Sequence, residues 1–523
     1  MKLYIKRSVA FLMCALFVFT LFGCEKKHET RNILYETEDP IKTLDPQLAV
    51  SDTEQQAVMN LFEGLMRYDK DGKIECAAAK SYTVSSNKKV YSFTLRDHLT
   101  WSNGRPLTAE DFVFGLKRAV DPETNAPYAA TLTPIKNAQK IIAGNLGTEK
   151  LGVKAVSEKV LEITLSEPTE DFLKILASSV AMPCSKAFFT DTKGYYGLKN
   201  RAVLSNGAYS LKAWNEEYCA LMPNENYHSF KKTTNPVYIY FNKSDDLFEN
   251  LKKGEPDLST LNTAMLTRLK NETLDGSLQH ISTGTTSLLF NKNAKIANSK
   301  ILSALRATAK VTLSKEDTDY YGYSAAESML PGIINAYKDL KVQKRELSAK
   351  SAQEAFKEGC TELQVERIFP SFTLYYVDND ITKRLAQQIA SGWQSGFGVT
   401  VNIKSCEDED ALWDTVAAGN YDVALVESHA RSDDAAEFLQ QFTKNSTLNR
   451  YGFQSGTFDS LYKSLLKLTD KSSRKTVQEM LKLLAEDDYL LPMYHTSKTY
   501  YLTDRSKDAI NQKNMILDFS KIQ

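Results

Sequence analysis

Residues 91–120 read "YSFTLRDHLTWSNGRPLTAEDFVFGLKRAV", and two periods are written into that one stretch. The opening "YSFTLR" (91–96) alternates apolar and polar residues, which predicts a half-buried strand. From Thr108 the pattern turns helical, "TAEDFVFGLKRAV" (108–120), and Thr108 stands ahead of Glu110 and Asp111. In that capping-box arrangement the hydroxyl and the Asp111 carboxylate satisfy orphan helix amides, so "TAED" is structural rather than a catalytic acid pair. Both periods recur outward along the chain. Strands are predicted at 161–166, 237–241, 286–291, 372–377 and 399–404, and helices at 54–66, 381–394 and 473–487. The mixture predicts an α/β fold.

A chain of 523 residues exceeds one core of ordinary size, so two or three domains are expected, with 42% apolar residues to fill them. Lys+Arg and Asp+Glu balance at 65 each, which leaves no basic stripe to neutralise phosphates and argues against a nucleic-acid partner. At the start, Lys2, Lys6 and Arg7 precede an apolar run from Ser8 to Gly23. That run falls short of the ~20 residues that span a bilayer and reads as a signal peptide over 1–23. "LFGC" (21–24) resembles the bacterial lipobox, in which cleavage precedes a cysteine that is then acylated. Cys24 is therefore the expected lipid anchor and 24–30 a polar tether, at a membrane surface facing the periplasm or exterior. Past Cys24, an odd, widely spaced set of cysteines (76, 184, 219, 360, 406) is neither a disulfide framework nor a zinc site.

The chain lacks G-x-S-x-G, H-E-x-x-H, a phosphate-binding loop, C-x-x-C and a dinucleotide glycine fingerprint. Its six histidines are scattered without metal-ligand spacing, so neither a metal nor a cofactor is expected. With 26 Tyr and 24 Phe, aromatics fill cores or line a cleft that envelops a ligand. One cluster demands explanation: "DVALVESHARSDDAAEFL" (422–439) packs Glu427, His429, Arg431, Asp433 and Asp434 behind an apolar strand. A peptidase using Glu427, His429 and Asp433 is poor geometry, since neighbouring side chains of a strand point to opposite faces. No enzyme is expected.

Ordered blocks then become specific: "LDPQ" (44–47), "NLFEGLMRYDKDG" (60–72), residues 91–130, "LGVKAVSEKVLEITLSEP" (151–168), "LSNGAYSLKAW" (204–214), and more loosely "LLFNKN" (288–293) and "LLPMYH" (490–495). Together they resemble the bacterial oligopeptide-binding proteins, family-5 extracellular solute-binding proteins of ABC importers. The resemblance implies a two-lobed periplasmic-binding-protein clamshell with the family's extra domain. Lobe one would combine a base domain (31–62, 188–283 and 491–523) with the extra domain (63–187), and lobe two would span 284–490. It further implies a monomer that closes on a peptide or peptide-like ligand and presents it to the transmembrane subunits of an ABC permease. A sensory or adhesive surface lipoprotein with a non-peptide or terminally blocked ligand is the alternative.

The positions that match the family's contacting segments are Val50, Ser51 and Asp52 in lobe one, Glu427, Ser428 and His429 in lobe two, and Tyr128. In peptide-binding relatives an aspartate of the next loop meets the peptide's α-ammonium. Here that position carries Arg431, with Asp433 and Asp434 two and three residues on. A family arginine and histidine fall on Leu425 and Thr382, and a family disulfide pair on Gly284 and His429. For Arg431 three placements are open: facing the ligand, turned outward to pair with Asp433, or displaced by a shifted register. An ammonium beside a buried guanidinium is repelled and desolvated at once. Asp433 or Asp434 would then supply the carboxylate, or the ligand lacks a free amine, or it presents an anion.

Overall fold

The computed structural model describes residues 31–69, 72–169, 171–231, 234–342, 347–365, 369, 371–446, 448–468, 470–511 and 513–522. The signal segment, Cys24 and the tether lie outside the described residues. Alternation becomes strand at Val90–Leu95, Val160–Thr164, Val237–Phe241, Phe372–Val377 and Val401–Cys406, while "TSLLFN" ends a longer strand, Ser277–Phe290. Helices form at Ala109–Val120, Asp380–Phe397 and Asp470–Glu486. In the first of these the Asp111 carboxylate accepts from the Thr108 amide at 2.8 Å, the backbone half of the capping box.

The helix expected over 54–66 stops at Leu61. Phe62 is extended, and Gly64 passes so close to the Leu176 carbonyl that a Cβ there would sit 2.6 Å from it. Met66–Tyr68 instead pairs with Ile74–Cys76. Long-range packing overrides the local helical pattern here.

One large mixed sheet runs through the molecule in the order 401–406, 372–377, 423–429, 277–290, 490–502, 258–261, 33–37, 237–241, 218–223, 209–214. Helix Asp380–Phe397 joins the parallel neighbours 372–377 and 401–406, a βαβ unit. Two long antiparallel partners, Ser277–Phe290 and Leu490–Leu502, carry the sheet from one half to the other. Gly284–Phe290 pairs with His429–Val423, whereas Leu502–Thr499 pairs with Leu258–Leu261. Their ladder is irregular between Ser282 and Gly284 and between Thr286 and Ser287, where the sheet passes between halves. A separate sheet, 79–84, 90–95, 160–164, 153–157, stands on helix Ala109–Val120.

The apolar run Val423–Val426 is central and buried on both faces. Val423 and Leu425 pack with Leu288, Phe290 and Trp393, while Ala424 and Val426 face the other core with Leu289. Alternation about the sheet plane puts successive residues into different cores.

"LDPQ" acquires a physical role. Arg118, on helix Ala109–Val120, forms a charge-assisted pair with Asp45 and donates to Gln47 Oε1 at 2.6 Å. Both ionic side chains are buried, and Gln47 is fully enclosed. This pair ties the segment carrying the small sheet to the large one.

Candidate functional site

Strand Val423–His429 is paired along its length with 277–290, but with 372–377 only at Val423 and Ala424. Residues 425–429 therefore present an edge with no strand beside it among the described residues. The one group on that edge is the Tyr451 hydroxyl, which donates to the Glu427 carbonyl at 3.3 Å. Side chains divide by strand geometry. Ser428 is buried and donates to the Thr285 carbonyl at 3.2 Å. Glu427 and His429 share the opposite face, 3.7 Å apart, and His429 Nε2 lies 3.0 Å from Glu409.

This face is a cluster of charges, and it brings Glu427 and His429 together, with Asp433 turned away to Lys513. Burial alone would lower the His429 imidazole, but Glu409 and Glu427 beside it raise it to about 10, so it is a cation at neutral pH. Burial raises the Glu427 carboxyl, His429 opposes that, and the Thr496 hydroxyl donates to it. Gly284, the direct cross-strand partner of His429, makes the arrangement possible. A Cβ on Gly284 would lie 1.9 Å from Glu427 Oε1 and 2.0 Å from Thr496 Oγ1.

Across from it, Ser51 caps helix Asp52–Leu61 in a capping box. Glu54 Oε2 accepts from the Val50 and Ser51 amides at 2.9 and 3.0 Å, so those two donors are occupied within the chain. Val50 itself is 47% exposed. Asp52 pairs with Lys498 at 2.6 Å. Burial would raise Asp52, but Lys498 overrides this and holds it below the usual carboxylate range, with help from His429 and Arg431.

Arg431 does not turn outward to Asp433. Its guanidinium lies 3.4 Å from the centre of the Tyr128 ring and forms an ion pair with Glu437, in the helix Ala435–Leu439 that follows. Ser432 donates to the other Glu437 oxygen. Asp433 instead pairs with Lys513, whose carbonyl also accepts from the Asp433 amide at 2.8 Å. Asp434 caps helix Ala435–Leu439, accepting from the Ala436 amide at 2.7 Å. Burial pushes its carboxyl up to about 6, against Lys174 and with Glu437 and Asp171. Leu425 is in the core, and the Thr382 hydroxyl donates to the Val377 carbonyl at 2.5 Å, so neither faces this region.

Part of this set opens onto one cleft of about 1370 Å³, itself partly continuous with solvent. Asp52, Tyr128 and Lys498 line it from one side and Arg431, Asp434 and Glu437 from the other, with Met59, Ile175, Tyr462, Leu465 and Met515 as apolar wall. Of the residues expected at the site, Asp52, Tyr128 and Arg431 line this cleft, while Val50, Ser51, Glu427, Ser428, His429 and Asp433 are not in its wall. Lys498, Glu437, Lys174, Glu409 and Lys513 escaped the sequence reading. The signal for Lys498 is a lone lysine in the strand "YHTSKTYYL" (494–502), and for Glu54 the S-x-x-E spacing from Ser51. The other partners are joined only by folding.

Among the described residues no group of side chains is placed to hold a metal, and no helix is long and apolar enough to cross a membrane. Cys76, Cys184, Cys219, Cys360 and Cys406 are free thiols.

Comparison with known proteins gives a consistent outcome. The probable deoxycholate-binding periplasmic protein YgiS of Escherichia coli is 28% identical over 465 residues, 87% of this chain and 86% of that protein. The periplasmic oligopeptide-binding protein OppA of Salmonella typhimurium is 29% identical over 467 residues, 87% and 85%. Listeria monocytogenes OppA bound to peptide superposes with a TM-score of 0.77 at 25% identity, covering 94% of this chain and 98% of that one. These relatives are named for binding, and the shared architecture is the α/β two-lobed clamshell. Residues 73–450 match the family described as bacterial extracellular solute-binding proteins, family 5, and the chain belongs to that family.

Proposed function

We propose that this protein captures a peptide or peptide-like solute between two lobes and delivers it to the transmembrane subunits of an ABC importer. The observation that carries this reading is the cleft itself. It is walled from both sides and bridged by Arg431 on Tyr128, and Arg431 follows directly on a strand whose edge at 425–429 has no strand beside it among the described residues. An extended peptide adds to such an edge through main-chain hydrogen bonds, which leaves side-chain preference loose. The lobe boundaries would fall in the two long strands, near residue 283 in the first and near residue 490 at the start of the second. Glu427, Ser428 and His429 would meet the solute through backbone. Val50, Ser51, Asp52, Tyr128, Arg431 and Asp433 would flank it, acting as a monomer tethered through acylated Cys24.

The test is calorimetry on ligand-stripped full chain with a peptide library, beside mass spectrometry of what co-purifies. A binder at roughly a hundredfold excess over its Kd raises Tm measurably; if no peptide does so, the peptide reading fails. A Cys24→Ser variant that still partitions into membranes would remove the lipid anchor from this picture.

A second reading has its own support. Arg431 already occupies the cleft, where a free peptide ammonium would meet a guanidinium, and one relative is named for deoxycholate. A terminally blocked or non-peptide solute, read by a sensory or adhesive lipoprotein, fits those two facts. Stabilisation by blocked peptides or deoxycholate but not by free peptides would favour it.

A further inference from the structure

Gln440 follows helix Ala435–Leu439 and lies on the same face as Ala436 and Glu437, and all three line the cleft. It is 2% exposed, yet no described group pairs with its amide nitrogen. Buried amide donors are nearly always satisfied, because an unmade hydrogen bond in a water-poor site carries the full desolvation cost. The backbone does not need this side chain: the Gln440 carbonyl already accepts from the Thr443 amide at 3.0 Å and the Thr443 hydroxyl at 2.9 Å. The same cleft wall also carries apolar side chains, Leu465 and Leu466 among them. An enclosed, unpaired donor on a residue that lines a ligand cleft is the arrangement that orients a solute and rejects analogues lacking the matching acceptor.

The charges on the same loop and helix restrict what that acceptor is. Asp434 and Glu437 stand on the cleft side ahead of Gln440, and the cations that line the cleft are each already paired, Arg431 with Glu437, Lys174 with Asp171 and Lys498 with Asp52. A carboxylate brought to Gln440 would enter beside two acids with each of these cations already engaged. An uncharged carbonyl meets no such repulsion. We propose that Gln440 is a specificity-determining contact whose amide nitrogen donates to a neutral carbonyl oxygen, an amide or ester on an apolar body, of the solute held in the cleft. This rests on the solute-binding reading above and names the chemistry of one of its contacts.

The experiment uses ligand-stripped full chain as wild type, Gln440→Leu and Gln440→Asn, with two probes: N-acetylated, C-amidated tripeptides bearing each apolar residue in the middle, and deoxycholate. Kd and the ligand-free Tm are both measured. The expected result is that a blocked tripeptide binds wild type and binds Gln440→Leu about tenfold more weakly, as loss of one buried hydrogen bond implies. The ligand-free Tm of Gln440→Leu should stay level or rise, since an orphan donor has been removed. Gln440→Asn should fold like wild type and bind between the two. A purely structural glutamine gives the opposite sign, with Tm falling in Gln440→Leu. Unchanged tripeptide affinity in Gln440→Leu, or a fall in affinity that only follows a fall in Tm, overturns the proposal while the solute-binding reading stands. Binding of deoxycholate alone overturns the neutral-carbonyl assignment. If neither probe binds wild type, this inference falls, while the solute-binding reading is decided separately by the peptide library.

Discussion

The Arg431 guanidinium lies over the Tyr128 ring at 3.4 Å and is held there by an ion pair with Glu437. A cation stacked on an aromatic face and partly withdrawn from water gains about 0.5–2 kcal/mol. Arg431→Asp replaces that attraction with a third carboxylate beside Asp434 and Glu437. Ligand-free stability should fall by about 1–2 kcal/mol, and the spectrum of co-purifying ligands should change. Denaturant melts and mass spectrometry check both, and a variant unchanged in both would mean that the guanidinium has no part in the cleft.

Gly284 is where the sheet gives up a side chain to make room for a carboxylate. In Gly284→Ala, Glu427 must leave the Thr496 hydroxyl or the strand must shift, since the new Cβ overlaps both. The expected cost is about 1–3 kcal/mol of stability, read by urea titration. An alanine variant as stable as wild type would show that Glu427 moves aside freely.

Asp45→Ala leaves the buried Arg118 guanidinium without its carboxylate. Removing one partner of a buried pair costs about 3–5 kcal/mol, because the remaining charge is desolvated and uncompensated. The loss should appear as reduced Tm across a broad pH range. A loss below about 1 kcal/mol would mean that water reaches Arg118.

The His429 cluster sets a pH dependence on the alkaline side. The folded-state imidazole titrates at about 10, above the ~6.5 of an unfolded histidine, so its stabilisation is complete below ~6.5 and is lost as pH rises through 10. Wild-type Tm should decline between pH 7 and 10 more steeply than that of His429→Asn. Parallel profiles for the two proteins would contradict this.

Asp434 acts in the other direction. Its carboxyl is raised to about 6 by burial, so its charge opposes folding above that pH and the penalty fades as pH falls toward ~4. Asparagine keeps the cap on the Ala436 amide without the charge. Asp434→Asn should therefore be more stable than wild type at pH 7.5 and indistinguishable near pH 4, measured by thermal melts in both buffers.

Much of this molecule is written locally. Alternation in "VYIYF" and "FTLYYV" set those strands to the residue, the 108–120 pattern set its helix, and the ordered blocks identified the family and its two-lobed α/β fold. In the cluster at 427–434, period two by itself sends Ser428 to one face and Glu427 and His429 to the other. These readings succeed because they depend on the repeat of the backbone, which neighbouring residues specify. Tertiary structure alone decided the end of the helix at Leu61, the stacking of Arg431 on Tyr128, the pairing of Asp433 with Lys513 and Asp52 with Lys498, and the unsatisfied amide of Gln440. The physical reason is that a side chain's direction in a loop, and the burial that shifts its charge or strands its donor, are set by residues tens to hundreds of positions away that only the fold brings into contact.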